Sequence, residues 1–464
     1  LNAMTGATAM EHAPELDDIQ GMALRAYRFP MALHHFLRIA DQASAREWLG
    51  QIADRVTTVP IVDGAPDRAL NVSLSWRGLK ALGLAPDVLE SFPEAFRQGM
   101  VERARAGKLG DSGDSSPDCW NSPLRDGDLH ILVTVSAASA EILVEADDAF
   151  RATLEGTARP TIVHTEATSL LPGPDGTPVP VEHFGYRDGI GQPAIEGSGL
   201  ASIPGQGTAG VGGDWRPLKL GEFVMGYPDE FGNVATSPQP EILARNGTYL
   251  VFRKLHQHVA RFRAFLKEAA ADDGGRERLA AKLMGRWRSG APLALAPERD
   301  DSALAEDRNR NNDFNYDDDL KGWACPVGAH IRRMNPRAGL AGPSADTINR
   351  HRVLRQGLPY GARLPPDAAD DGQDRGAIII LINADIANQF EFVQRVWMND
   401  GNFAGLGSAK DPLIGNNDGT GTFKVPRKGG FRIVKGLPAF VSTRGGEYFF
   451  MPGKRALGYL SEAL

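Results

Sequence analysis

Cysteine is almost missing from this chain of 464 residues: only Cys119 and Cys325 occur. That excludes a disulfide framework and a four-cysteine zinc site, and it fits a reducing compartment. Long apolar runs are missing too. No stretch approaches the roughly 20 apolar residues of a membrane helix. Nor does a basic region or a twin arginine ahead of an apolar run mark the N-terminus for export. Residues 1–3, ahead of Met4, read as a leftover of expression. The expectation is a cytoplasmic protein without a membrane partner. Basic charge is in deficit: 51 Lys and Arg stand against 58 Asp and Glu, a net charge of -7. With no Lys/Arg block to offset it, a nucleic-acid partner is not expected.

What is present is ordinary globular material, 42% hydrophobic and 23% charged. The length exceeds one typical domain, so two are expected, fused into one body. "MALRAYRF" (22–29) reads as a strand, "SAREWLGQIADRV" (44–56) as an amphipathic helix and "NVSLSW" (71–76) as a strand. "HILVTVSA" (130–137) is a strand, "SAEILVEADDAFRATL" (139–154) a helix and "PTIVH" (160–164) a strand. This β-α-β…β-α-β order suggests a ferredoxin-like sheet with helices on one face.

The second half repeats the theme. "TYLVFRKL" (248–255) is a strand, helices follow over 257–286, and "GAIIILIN" (376–383) is a buried strand. "ADIANQFEFVQRVW" (384–397) is a helix, and "AFVST" (439–443) and "EYFFM" (447–451) are strands. The expected fold class is α+β: two ferredoxin-like units with antiparallel sheets and helices packed around them. The first unit is placed at 4–200, a Gly-rich connector at 201–215 and the second unit at 216–464. The polar run 298–322 reads as a solvated loop.

Three segments hold residues suited to chemistry. "HFGYRDGIGQP" (183–193) sets Asp188 between Gly185 and Gly189, which suits either a plain turn or a carboxylate aimed by a sharp bend. Of ten histidines, His34 and His35 fall near an element end, and His256 and His258 read as helix-surface residues. His330 differs. In "CPVGAHIRRMNPR" (325–337) it is followed by three arginines, whose charge favours the neutral imidazole. A neutral imidazole can ligate a metal, yet no second His or Cys stands at zinc-like spacing. One ligand in a positive surround fits a haem, with iron on the histidine and arginine on the propionates. In "HRVLRQGLPYG" (351–361), Arg355 precedes a Gly-x-Pro-x-Gly bend.

Together, "GYRDG" with "GQP" behind it, "GAHIRR.NPR" and "R.GLPYG" resemble the dye-decolorizing peroxidases, a family of haem enzymes. "DIQGMALRAYRFPMALHHFLRIAD" (18–41), "GEFVMGYPDE" (221–230), "NDFNYDDDLKG" (312–322) and "NQFEFVQRVWMND" (388–400) resemble family segments in the family's order.

The resemblance implies one haem b per chain, bound by the second unit, with His330 as axial ligand to the iron. It implies Asp188 as the distal acid-base residue and Arg355 as the distal arginine. Arg333 is assigned to a propionate ahead of Arg332, and Arg187 to a propionate or a structural partner. Behind the histidine it implies a carboxylate: Asp411 in "KDPLIG", with Asp400 and Glu391 as rivals. The implied activity reduces hydrogen peroxide and oxidises an organic reductant, dye-like or phenolic, through a high-valent iron centre. Bulky reductants would give electrons through a surface aromatic, for which Trp120, Tyr186, Trp215, Tyr360 and Trp397 are available. Many relatives associate, so a homo-oligomer is compatible.

Three positions depart from the pattern: Gly357 replaces an asparagine of some relatives, Gly191 replaces a common serine, and "GAIIILIN" lacks a Leu-x-Phe wall. The alternatives are a haem-processing protein that removes iron, and a structural ferredoxin-like protein without haem.

Overall fold

Pro30, unable to donate to a ladder, marks the start of the first strand, Met31–Arg38 (β1). The strand expected at 22–29 is therefore displaced: Gly21–Ala23 make one 3-10 turn, and residues 25–28 lie outside the described residues. Two histidines hid the real strand. His34 and His35 are both buried, because threonines on the neighbouring strands take up their ring nitrogens: His34 Nδ1 lies 3.2 Å from Thr134 Oγ1 and His35 Nδ1 2.9 Å from Thr165 Oγ1. The computed structural model describes residues 13–24, 29–59, 66–210, 214–427 and 429–462; residues 1–3 fall outside it.

The first unit continues with α1 (Gln42–Ala53), β2 (Arg68–Leu74), β3 (Ile131–Ala137), α2 (Ala140–Arg151) and β4 (Thr161–Ser169). Both helices start on a side-chain cap: Asp41 Oδ1 accepts the Ser44 N–H at 2.8 Å, and Ser139 Oγ accepts the Ile142 N–H at 3.3 Å. The second unit comprises β5 (Thr248–Gln257), α3 (Val259–Ala269), α4 (Asp273–Met284), β6 (Leu354–Tyr360), β7 (Gly376–Asn383) and β8 (Val441–Met451). Helical turns wound with π geometry, Ala387–Glu391 and Val393–Met398, follow β7.

These strands form one eight-stranded sheet in the order β6-β7-β5-β8-β2-β3-β1-β4. Every neighbouring pair is antiparallel. Each half repeats the same order of its four strands, which is the ferredoxin-like arrangement, and the halves meet where Phe450 of β8 pairs with Leu74 of β2. The fold is α+β, as the sequence suggests. The sheet is buried on both faces, which is why β7 reads as an unbroken apolar run. On one face Trp48, Leu49 and Val133 pack with Tyr249, Val251 and Tyr448. On the other, Phe36 and Leu132 pack with Phe252, Ile380 and Phe449.

Several expectations need correction. "R.GLPYG" is the edge strand β6 rather than a bend; Pro359 is tolerated there because an edge strand has donors it need not pair. The two expected strands 439–443 and 447–451 are one strand, kinked by a bulge between Thr443 and Gly445. His256 lies on β5 with Nδ1 2.9 Å from Asp374, and His258 Nε2 lies 2.8 Å from Ser442 Oγ; neither is on a helix surface. Within the polar run 298–322, Asn311, Asn312, Phe314 and Tyr316 are buried. The connector packs as well: Thr208–Ala209 pair with Trp215–Arg216, while residues 211–213 lie outside the described residues.

Candidate active site

Side chains alternate across a strand, so Arg355 and Gly357 on β6 share one face with Leu381 and Ile379, their partners on β7, and with Arg253 and Leu255 on β5. This face forms the floor of a cavity of about 630 Å3. Asp188, Ile190 and Gly191 line it from a loop, His330 from a short helix, α5 (His330–Met334), placed between α4 and β6 in the chain.

Backbone chemistry shapes the loop. Gly185 (φ +93°) and Gly189 (φ +79°) adopt left-handed angles that a side chain would strain. Between them the Asp188 N–H donates to the Pro180 carbonyl at 3.1 Å and the Arg187 N–H to the Arg288 carbonyl at 3.1 Å. The Asp188 side chain is 46% exposed, but what it faces is the cavity, with protein packed around it. Its Oδ1 accepts the Gly189 N–H at 2.6 Å and stands 3.2 Å from Arg355 Nη2. Removal from bulk water alone would raise its pKa. The Arg355 charge and the Gly189 N–H outweigh that and hold the carboxyl below its ordinary value.

On α5, His330 Nδ1 lies 3.0 Å from Asp411 Oδ2. Asp411 is fully buried, and its other oxygen accepts the N–H groups of Leu413 (2.9 Å) and Ile414 (3.0 Å). Burial would raise the pKa of Asp411, but His330, Arg333 and the Ile414 N–H bring it below the usual value. An ionised Asp411 places the imidazole proton on Nδ1 and leaves the Nε2 lone pair without a partner among the described residues. The rivals are engaged elsewhere. Glu391 pairs with Arg105 at 2.7 Å and accepts from Tyr448 at 2.8 Å, and Asp400 accepts the Asn402 N–H.

The arginines are distributed differently from the expectation. Arg333 does not line the cavity: it is buried, stacked 4.8 Å from the Phe403 ring, and spends its fork on the carbonyls of Trp397, Asp400 and Ala409. Arg332 is likewise committed, to the carbonyls of Cys325 (2.7 Å) and Asp319 (2.8 Å). Arg187 lines the cavity and donates to the Ala305 carbonyl at 3.3 Å. The further cavity arginines missed from sequence include Arg286, Arg337 and Arg352. The first two are held by backbone carbonyls and by Asn312 Oδ1. Arg352 is buried with no acceptor among the described residues. Burial, with the charges of Arg337 and Arg355, pushes its pKa down to about 9. No spacing rule sets it apart from its neighbours in sequence.

Of the five aromatic candidates, Tyr360 alone donates to a carboxylate through its hydroxyl: Asp374 Oδ1 accepts at 2.8 Å. His256 and Lys254 (3.3 Å) hold the same carboxylate. The indoles of Trp120 and Trp215 donate to Ser115 O and Asp313, Trp397 is packed against His351, and the Tyr186 hydroxyl is buried without a partner. Among the described residues no group of three or more His, Cys, Asp or Glu is placed to hold a metal ion. Among the described residues the cavity offers a cofactor the Nε2 lone pair of His330, the guanidinium of Arg352 without an acceptor, and apolar walls.

No family model matches the chain. A dye-decolorizing peroxidase of Mycena epipterygia is 30% identical over 98% of this chain and 88% of its own length. Peroxidase 2 of Mycetinis scorodonius is 32% identical over 95% of this chain and 86% of its own. The multifunctional dye peroxidase DyP2 of an Amycolatopsis species is 30% identical over 95% of both. Among solved structures, an ancestral D-type dye decolorizing peroxidase superposes with a TM-score of 0.84 at 31% identity, covering 97% of this chain and all of that one. A dye-decolorizing peroxidase in complex with 2,6-dimethoxyphenol gives 0.81 at 29% identity, with the same coverage.

Proposed function

This chain belongs to the dye-decolorizing peroxidase family, and from that premise we propose that its own cavity residues carry a haem peroxidase reaction, with Asp188 and Arg355 on one side and His330 on the other. The activity is that of a haem peroxidase acting on peroxide and an organic reductant; the relatives' names speak of peroxidases and not of iron removal.

The residues present fit a haem. The volume suits a ligand of that size class, the walls around Ile379, Leu381 and Leu413 are apolar, and Arg352 is a buried cation that lacks an anion. His330 Nε2 would take the iron, and Arg352, with Arg337 beside it, would meet a propionate. Haem b, one per chain, is the form this donor set suits. When bound, the haem supplies an iron centre that exchanges electrons with peroxide and reductant.

The protein's part is proton and charge control. Asp411 keeps the Nδ1 proton of His330 in place and so raises the basicity of Nε2. Asp188, ionised, accepts the proton of one peroxide oxygen and returns it to the other, which leaves as water. Arg355 faces the negative charge that gathers on the departing oxygen. For a reductant too large for the cavity, Tyr360 is the aromatic assigned to give an electron, because its hydroxyl already donates to the Asp374 carboxylate. A phenolic reductant is in keeping with the dimethoxyphenol bound by a structural relative. The two unpaired thiols, Cys119 exposed and Cys325 buried, support a cytoplasmic setting.

The observation carrying this reading is that the Asp188–Arg355 pair and the partnerless nitrogen of His330 line one cavity. The test is haem-loaded protein mixed with hydrogen peroxide in a stopped-flow spectrometer. The Asp188→Asn variant is expected to keep the Soret band and lose about 10²–10⁴ in rate. Arg355→Leu should lose about 10²–10³, and His330→Ala should fail to hold haem. Wild-type rates in the Asp188→Asn, Arg355→Leu double variant would refute the assignment.

A further inference from the structure

β6 is the edge of the sheet, so its outward backbone groups have no strand to pair with. At Arg355 a side chain takes the strand's place. Gln192 Nε2 donates to the Arg355 carbonyl oxygen at 2.6 Å, and Gln192 Oε1 accepts the Arg355 N–H at 3.1 Å. One planar amide thus satisfies both backbone groups of the residue that carries the distal guanidinium.

Gln192 stands four residues after Asp188 in the same loop, with Pro193 fixing the backbone behind it. The loop is itself braced: Gln206 Nε2 donates to the Ile190 carbonyl at 3.2 Å, and the Ala194 N–H donates to the Gln206 carbonyl at 2.8 Å. Hydrogen bonds to the backbone therefore run from the connector through the loop to the strand.

The ion pair cannot fix its own geometry. Its separation of 3.2 Å is longer than the roughly 2.7–2.9 Å of a tight charge-assisted bond, and both side chains are well exposed to the cavity, at 46% and 35%. Pairs of that exposure are weak constraints. Two hydrogen bonds to a backbone are stiffer than one long bond between mobile side chains.

We propose that Gln192 is a positioning residue, a clamp that sets the distance between Asp188 and Arg355 by holding the backbone of Arg355 to the loop that carries Asp188. This rests on the peroxidase reading of the same site. Among the described residues, the charged or titratable groups acting on Asp188 include Arg355 from β6, His330 from α5 and Glu182 from its own loop. Of these, Arg355 is the one Gln192 holds.

The test uses haem-loaded Gln192→Ala and Gln192→Met. Methionine keeps the bulk and removes both hydrogen bonds, so it serves where alanine does not fold. Two quantities are followed against pH: the rate of reaction with hydrogen peroxide and the equilibrium affinity for cyanide. An opposite charge nearby lowers a carboxyl pKa by about 1–3 units. Letting Arg355 drift should return part of that, moving the acid limb of both profiles upward by about one pH unit while the Soret band stays in place. A packing role alone would lower stability and leave both limbs where they are. Folded, haem-bound variants of a reactive wild type with unmoved limbs overturn the clamp alone. A wild-type holoprotein that does not react with peroxide overturns both the clamp and the reading beneath it.

Discussion

At the scale of single residues, the Asp188 and Asp411 carboxylates have opposite exposures and one direction of shift. Asp188 is held below its ordinary pKa, so its proton-accepting form is present through the neutral and mildly acidic range and is lost as pH falls through the depressed value. The peroxide step is therefore expected to persist below pH ~4, the ordinary range of an aspartate. Arg355→Leu should bring the acid limb up into that range or above it, which a stopped-flow pH series reads directly. Asp411 works at one remove, through the imidazole. Asp411→Asn retains the shape and removes the charge, and a carboxylate behind a metal-ligating histidine is typically worth about 10–100-fold in affinity or activity. Haem titration of folded Asp411→Asn should show a loss of that order; unchanged affinity and unchanged peroxide rate would remove Asp411 from the site. Arg333 belongs to this same group. It stands three residues after His330 on the same short helix, and its charge helps to ionise Asp411 instead of meeting a cavity anion.

At the scale of elements, legibility follows burial. β3 and β7 are apolar runs, and β5 opens on one, inside a sheet covered on both faces, and their sequences say so. β1 hides behind two histidines whose threonine partners lie about 100 and 130 residues further on, information no local window holds. β6 is hidden by its Gly and Pro, which signal a bend unless one knows that the strand lies at an edge. The hairpin of Gly421–Arg427 and Gly430–Leu437 is hidden because Phe431 and Ile433 point outward and blur the alternation. The motifs of the candidate site were legible as an ordered set, whereas Arg352, buried without an acceptor among the described residues, and Gln192, which acts through the distant Arg355, leave no local trace. One element-level feature can be tested by a single methyl group. At Gly376, where β7 meets β5, an added Cβ would lie 1.8 Å from the Leu255 carbonyl oxygen, although the backbone angles there need no glycine. Gly376→Ala must spread two central strands and is expected to cost about 1–3 kcal/mol, the usual range for overpacking. Urea unfolding would show it as a lower midpoint, and an unchanged midpoint would mean the strands yield freely.

At the scale of the whole molecule, the question is whether the two ferredoxin-like units are independent domains. Their ladder contact is slight, a single Phe450–Leu74 pairing, which taken alone argues for independence. The cores argue the other way. Trp48 and Val133 from the first unit share one cluster with Tyr249 and Tyr448 from the second, and Phe36 shares another with Phe252 and Phe449. A unit alone would expose both of these faces. The cavity joins them further, since Asp188 comes before the connector and Arg355 and His330 after it. Burial of apolar area is worth about 25 cal/mol per Å2, so the loss of either shared face should exceed the 5–15 kcal/mol that keeps a typical domain folded. The expected behaviour is one cooperative unfolding transition for the intact chain, with fluorescence and far-ultraviolet dichroism moving together. Residues 13–210 expressed alone should show no such transition and should recover it only when 214–462 is supplied. Two separated transitions, or a first unit that folds by itself, would show that the interface between the units is a docking of finished domains rather than part of one core.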